Sequence, residues 1–305
     1  MSINKIIETV KKFQAQSKTV DASYHLTSDD PRDNLVKGIR NWEDIEKDLK
    51  AGKGGELEPR KRYPPKFLSV RSSAALCVNN FAPFKEYHME LSFMGISSFV
   101  EACFEKEQPT GLHRPTEPHL DFYLENEKTI IGIESKFLEY LNFYKAPNHP
   151  SGHRYTEDYR ENNLDAYLVR EKLHYLPDGF FDNIIEFYSK CSKDDNQRLD
   201  VAQLIKHSIG LLKNRHDKGN KQKVVLIYLY WEPLDWKTIH PLFNVHRDNI
   251  NEFECIIKQF EPLITFVPLS YLEFWQQCEN DVSLHESIKE HIGRVVKRYR
   301  FAINS

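Results

Sequence analysis

Two short apolar runs separated by a polar turn constrain this chain more than anything else in it. The first is Pro118-His119-Leu120-Asp121-Phe122-Tyr123-Leu124, and the turn is Glu125-Asn126-Glu127-Lys128. The second is Thr129-Ile130-Ile131-Gly132-Ile133-Glu134-Ser135-Lys136. Each run has the length of a strand, and the tight turn between them predicts a hairpin. The second run is almost continuous in apolar residues, which is the pattern of a strand buried on both faces.

The charges that close these runs are therefore not on a casual surface. Side chains alternate along a strand, so Glu134 and Lys136 project to one side, and Asp121 reaches that side from the neighbouring strand. A lone Asp and a Glu-x-Lys pair occur often as a solvated strand face. At the end of a doubly covered strand, however, such charges are costly without partners or a metal. Two carboxylates beside an ammonium suit a hard divalent cation and a group that handles water, which is chemistry for cutting phosphodiester bonds.

Composition agrees with a soluble enzyme. The chain has 305 residues, 40% hydrophobic and 29% charged, enough for one large α/β domain or two smaller ones. No apolar run approaches a membrane span, and the start Met1-Ser2-Ile3-Asn4-Lys5-Ile6-Ile7-Glu8 reads as an amphipathic helix rather than a signal peptide. The cysteines (Cys77, Cys103, Cys191, Cys255, Cys278) are dispersed without a Cys-x-x-Cys pair, which predicts reduced thiols in a cytoplasm and no structural zinc. His149 and His153 flank Pro150-Ser151-Gly152, so they lack the helix that would bring them together as zinc ligands. There is no Walker loop, dinucleotide fingerprint or Gly-x-Ser-x-Gly elbow, and hence no nucleotide cofactor is expected.

A net charge of −3 does not argue against a nucleic-acid substrate, because phosphates are met by local patches. Three such patches are visible: Arg60-Lys61-Arg62 with Lys66; Lys213 to Lys223, carrying Arg215, Lys218 and Lys221; and Arg294, Lys297, Arg298 and Arg300. Each is equally well a solvated turn or helix face. Tyr140, Phe143, Tyr144 and Tyr155 serve a core or stack on bases, and the sequence does not separate the two uses.

Along the chain, residues 1–65 read as a helical extension and a loop. Ile6, Val10 and Phe13 form one stripe, Trp42, Ile45 and Leu49 a second, and Gly52 to Pro65 is Gly-, Pro- and charge-rich. Ser72 or Ser73 caps a helix from Ala74 to about Asn80 that ends before Pro83. The strand region spans about 97–138. Residues 139–198 form an insertion with helices around Leu164 to Leu173 and Phe180 to Tyr188. Leu199 to Lys213 is a strong helix: Val201, Leu204, Ile205, Ile209 and Leu212 make an apolar stripe, with Gln203, Lys206, His207 and Gly210 beside it. The run Val224-Val225-Leu226-Ile227-Tyr228-Leu229-Tyr230 is again a buried strand. Strand, helix, strand implies a crossover between parallel strands, which places the start of the 199–213 helix over the Glu134 and Lys136 end of the sheet. Residues 66–280 read as the core, and 281–305 as a basic C-terminal helix.

Asp121, Glu134 and Lys136 resemble the signature of the PD-(D/E)xK nuclease superfamily, although Leu120 replaces the expected Pro. The wider chain resembles a bacterial restriction-endonuclease branch of it. The blocks concerned are Gly54-Gly55-Glu56-Leu57, Pro65-Lys66-Phe67, Ser72-Ser73-Ala74-Ala75-Leu76, Pro109-Thr110-Gly111-Leu112, Ile133 to Glu139, and Ala202-Gln203-Leu204-Ile205-Lys206-His207. The resemblance implies an α/β fold of the α+β variant: a restriction-endonuclease-like core of a mixed central sheet flanked by helices, with a helical N-terminal extension.

It also implies a metal-dependent endonuclease of the defence type acting on DNA. Mg²⁺, with Mn²⁺ able to substitute, would be held by Asp121, Glu134 and the Ser135 backbone carbonyl, with Lys136 beside the attacking water and Gln203 assisting. A further acid would be Glu105, with Glu56 eligible. Lys206, His207, Arg215, Lys218 and Lys221 would meet the nucleic acid. A homodimer is expected, since symmetric dimers are the commonest oligomers. A DNA-binding module without turnover, and a nuclease acting on RNA or on structured or modified DNA, stay open as alternatives.

Overall fold

The computed structural model describes residues 1–15, 18–52, 54–59, 63–111, 117–141, 173–191, 194, 196–219 and 221–304. Its strands are β1 (Glu101–Glu107), β2 (His119–Glu125), β3 (Thr129–Lys136), β4 (Lys223–Tyr230) and β5 (Ile264–Ser270). They form one sheet in the order β1-β2-β3-β4-β5, antiparallel between β1, β2 and β3 and parallel from β3 to β5. The helices are α1 (Ile3–Ala15), α2 (Trp42–Ala51), α3 (Ser73–Glu86), α4 (Phe180–Cys191), α5 (Val201–Asp217), the short α6 (Trp236–Ile239), α7 (Leu242–Lys258), α8 (Tyr271–Asn280) and α9 (Glu286–Tyr299). This is the mixed, helix-flanked α/β sheet that the sequence predicts. No helix among the described residues is long and apolar enough to cross a membrane.

Every residue of β3 is buried, as its unbroken apolar run requires. Ile131 and Ile133 face a layer built from α1, α2, α3, α8 and α9, whereas Ile130 faces a second layer built from α4, α5 and α7. The described parts of the N-terminal extension and the C-terminal helix thus share one apolar cluster with α3 and the sheet. At the β1 edge, Asp48 of α2 accepts the Phe104 N–H at 2.9 Å and pairs with Lys85 of α3 at 2.6 Å. A free edge N–H, open to pairing with another chain, is closed in this way.

Several local expectations are corrected. Phe13 is 40% exposed and stacks on Phe301, while Gln14 takes the buried place and hydrogen-bonds Arg298. Arg298 itself is buried, donating to Gln14 and Asn34, so it is not part of a phosphate-facing basic tail. α3 does not stop before Pro83 but runs through it to Glu86. Pro83 cannot donate to the Asn79 carbonyl one turn back; His291 Nε2 of α9 approaches that carbonyl at 2.7 Å instead. α5 begins at Val201, capped by Asp200, and runs on to Asp217. The Arg60-Lys61-Arg62 patch, Leu112, Phe143, Tyr144, His149, His153, Tyr155 and the helix expected at 164–173 (up to residue 172) lie outside the described residues.

Candidate active site

β2 and β3 pair as far as Phe122 and Ile133 and no further. The strand period breaks there, because Leu120 and Phe122 fall in opposite apolar layers although two residues apart. Across the β1 ladder, Glu105 stands between Phe104↔Phe122 and Lys106↔Leu120, and its backbone has φ 50°. Both strands kink at this level. The Asp121 carboxylate swings into the gap, and its Oδ2 accepts the Ser135 N–H at 2.6 Å. A strand residue presents its N–H and C=O to the same side, so the Ser135 carbonyl faces Asp121 as well.

Alternation along β3 sends Glu134 and Lys136 toward α5, while the Ser135 hydroxyl meets Tyr271 on the other face at 2.7 Å. Two glycines let α5 approach closely enough. A Cβ at Gly132 would lie 2.7 Å from Leu120 Cδ1 and 3.0 Å from Leu211 Cδ1, and one at Gly210 would lie 2.8 Å from the Gln108 carbonyl. Asp200 caps the helix by accepting the Gln203 N–H at 3.0 Å. The first turns of α5 then deliver Gln203, whose Oε1 accepts from Lys136 Nζ at 2.8 Å, and His207, whose Nε2 lies 2.8 Å from Glu134 Oε2. That second approach is close but misaligned, and among the described residues His207 Nδ1 has no hydrogen-bond partner. Lys136 Nζ also pairs with Glu134 Oε1 at 2.5 Å.

The electrostatics are those of crowded carboxylates. Burial opposes ionisation of Glu134, which is 1% exposed, but Lys136 and His207 outweigh it and hold the group at about 2. Asp121 goes the other way: burial, then the charges of Glu134 and Glu105, push it well above the usual carboxylate range. Glu105 is pushed up to about 8 by burial, then by Glu56 and Glu134. Burial raises Asp200 as well. Three carboxyl groups thus crowd a dry setting, where two of them favour the protonated form in the absence of a cation.

Of the two acids that the sequence left open, Glu105 stands with Asp121 and Glu134. Glu56 sits behind it, paired with Lys66 at 3.0 Å. Gly52 and Gly54 lie against Glu105, so closely that a Cβ at Gly52 would lie 2.4 Å from Glu105 Cβ. The oxygens of Asp121, Glu134, Glu105 and the Ser135 carbonyl are the hard donors that Mg²⁺ or Mn²⁺ prefers. Among the described residues no three His, Cys, Asp or Glu groups already form a metal cluster, consistent with Glu134 being turned to Lys136 and His207.

The other predicted residues separate. Lys206 is half-buried, one turn from Gln203. His207 is fully buried against Glu134, a correction to its expected place on a phosphate. Arg215, Lys218 and Lys221 lie toward the opposite end of the sheet, where Lys223 pairs with Thr129. There Lys218 pairs with Glu125, Arg215 Nε donates to the Gln222 carbonyl at 2.7 Å, and Lys221 is exposed. The sequence reading missed Asp200, although an Asp directly before an apolar helical stripe is itself a start signal.

A family model described as REase-ARP, restriction endonuclease associating with ARP, matches residues 8–300. No curated protein matches the chain, and no solved structure does.

Proposed function

The chain belongs to the REase-ARP family, and from that premise we propose that it is a metal-dependent endonuclease hydrolysing DNA phosphodiester bonds in the manner of the PD-(D/E)xK nucleases. The observation that carries this reading is the gathering of Asp121, Glu134 and Glu105 about Lys136 at one sheet end, where burial and mutual repulsion push Asp121 and Glu105 up while Lys136 and His207 hold Glu134 ionised.

In this reading Asp121, Glu134 and the Ser135 carbonyl hold Mg²⁺, with Mn²⁺ able to substitute, and Glu105 adds a further acid. When bound, such an ion supplies Lewis acidity toward the phosphate and eases deprotonation of water. Lys136 would orient the attacking water and offset charge on the scissile phosphate, and Gln203 fixes the ammonium by accepting a hydrogen bond from it. His207 lies against Glu134 from α5. The family description names ARP as an associate, and this chain acts in the same reading alongside such a protein. A homodimer would cut both strands of a duplex.

The test is cleavage of plasmid DNA by wild type and by Lys136→Ala, with Mg²⁺, Mn²⁺ or EDTA. Cutting that disappears with EDTA and with the substitution is expected. Undiminished cutting by Lys136→Ala, or in EDTA, would remove the assignment.

A further inference from the structure

A cavity of about 450 Å³ opens directly beyond the Lys136 end of β3. Leu138 and Glu139, two and three residues past Lys136 in the chain, form one wall. Glu56 and Lys66, whose charges act on Glu105, form a second, so the cavity adjoins the carboxylate cluster. His25, Arg71 and Ser73 also line it.

Its two carboxylates already have partners: Glu56 has Lys66, and Glu139 Oε2 accepts the Phe137 N–H at 2.7 Å. Arg71 differs. Among the described residues its guanidinium meets no carboxylate; it lies over the Tyr24 ring, 4.8 Å from the centroid. Lys11 Nζ lies 4.8 Å from the centroid of the same ring, and Tyr24 is fixed between its neighbours. Its backbone has φ 65°, an uncommon conformation for an aromatic residue. Its hydroxyl donates to Glu8 at 2.7 Å, and backbone bonds from Leu26 to Leu68 and from Val70 to Tyr24 lay the segment across the chain before α3. A planar guanidinium fixed on an aromatic face, unpaired and lining a cavity next to a phosphodiester-cutting centre, has the chemistry of a phosphate clamp.

We propose that this cavity binds a non-scissile phosphate of the nucleic-acid strand, adjacent to the phosphate at the carboxylates, with Arg71 as its principal contact. The assignment rests on the nuclease reading above and extends it to the path of the strand, which leaves the carboxylates past Lys136 toward Arg71. Lys66, paired with Glu56, and the ring of His25 add polar groups to the same cavity.

The experiment measures binding of duplex DNA across a potassium chloride series, in the cleavage-deficient Lys136→Ala background with Mg²⁺ present. Adding Arg71→Ala should weaken binding several-fold at low salt and reduce the slope of log K against log salt by about 1. Arg71→Lys should restore most of the slope. Ser73→Glu, at a helix start where an acid is tolerated, should repel the phosphate and weaken binding without unfolding the protein, which keeps the test valid if Arg71→Ala misfolds. Replacing single DNA phosphates by uncharged methylphosphonates should identify one linkage whose charge matters to the parent and not to Arg71→Ala. An unchanged slope in Arg71→Ala, or unchanged affinity in Ser73→Glu, overturns the subsite. Wild type that cuts DNA while the Arg71 variants match it removes the subsite alone; wild type that neither binds nor cuts DNA removes the nuclease reading with it.

Discussion

The Asp121 carboxylate takes the backbone N–H of Ser135 at 2.6 Å, at the point where the ladder between β2 and β3 has stopped. One oxygen stands in for a missing strand residue and the other is left for the site. Asp121→Asn retains the shape and removes the charge. Cleavage should fall by on the order of a hundredfold or more, while stability changes by no more than about 1 kcal/mol, because a buried acid in a like-charged cluster is replaced by a neutral amide. Single-turnover cleavage and chemical denaturation measure the two effects, and a variant with normal cleavage would remove Asp121 from the chemistry.

Gln203 acts through Lys136. Its backbone N–H belongs to the Asp200 cap and its side chain to the Lys136 ammonium, so Gln203→Ala leaves the helix start intact. The turnover rate should drop by about tenfold to a hundredfold with KM little changed, since a catalytic group loses its orientation rather than its charge. A rise in KM at constant turnover would instead make Gln203 a substrate contact.

In the metal-free protein two titrations act on stability with opposite sign. Glu105 is raised from the ordinary carboxylate value to about 8, so the fold favours its protonated form. That contribution is fully present below the unfolded value and is lost as pH rises through about 8. His246 is depressed by burial, stacked 3.9 Å from Tyr140 with Tyr228 Oη 3.0 Å from its Nε2. Its contribution is present above the unfolded value of about 6.5 and is lost as pH falls. In EDTA, melting temperature should therefore decline as pH rises from about 6 to about 8 in wild type and decline less in Glu105→Gln. Mg²⁺ should raise it more at pH 8 than at pH 5. A melting temperature in EDTA that holds level from pH 6 to 8 would contradict the raised Glu105.

Features that obey a fixed period were legible in the sequence. β3 announced itself through its apolar run, and α5 through its stripe; together they bring Glu134, Lys136 and Gln203 to one point. The kink at Leu120–Phe122 was hidden because it breaks the period on which strand reading depends, so the sequence could propose Asp121 but not its bond to Ser135. β5 was missed for a related reason: Pro268 within Ile264–Ser270 disguises an edge strand, where a missing N–H is tolerated. Long-range polar pairs such as Arg298 with Asn34 leave no local trace, and the basic tail therefore looked like a surface patch.

Pro83 and His291 give the sharpest test of such a pair. The proline deprives the Asn79 carbonyl of its helical donor, and the His291 ring, buried between α9 and α3, stands in for it at 2.7 Å. His291→Ala should cost about 1–3 kcal/mol through the buried carbonyl left unpaired, in addition to any cavity it creates. With Pro83→Ala present, the restored N–H can bond Asn79 within the helix, so the same His291→Ala should cost about 1 kcal/mol less. Urea denaturation of the four proteins of this cycle measures the coupling, and strict additivity would show that His291 contributes by packing alone.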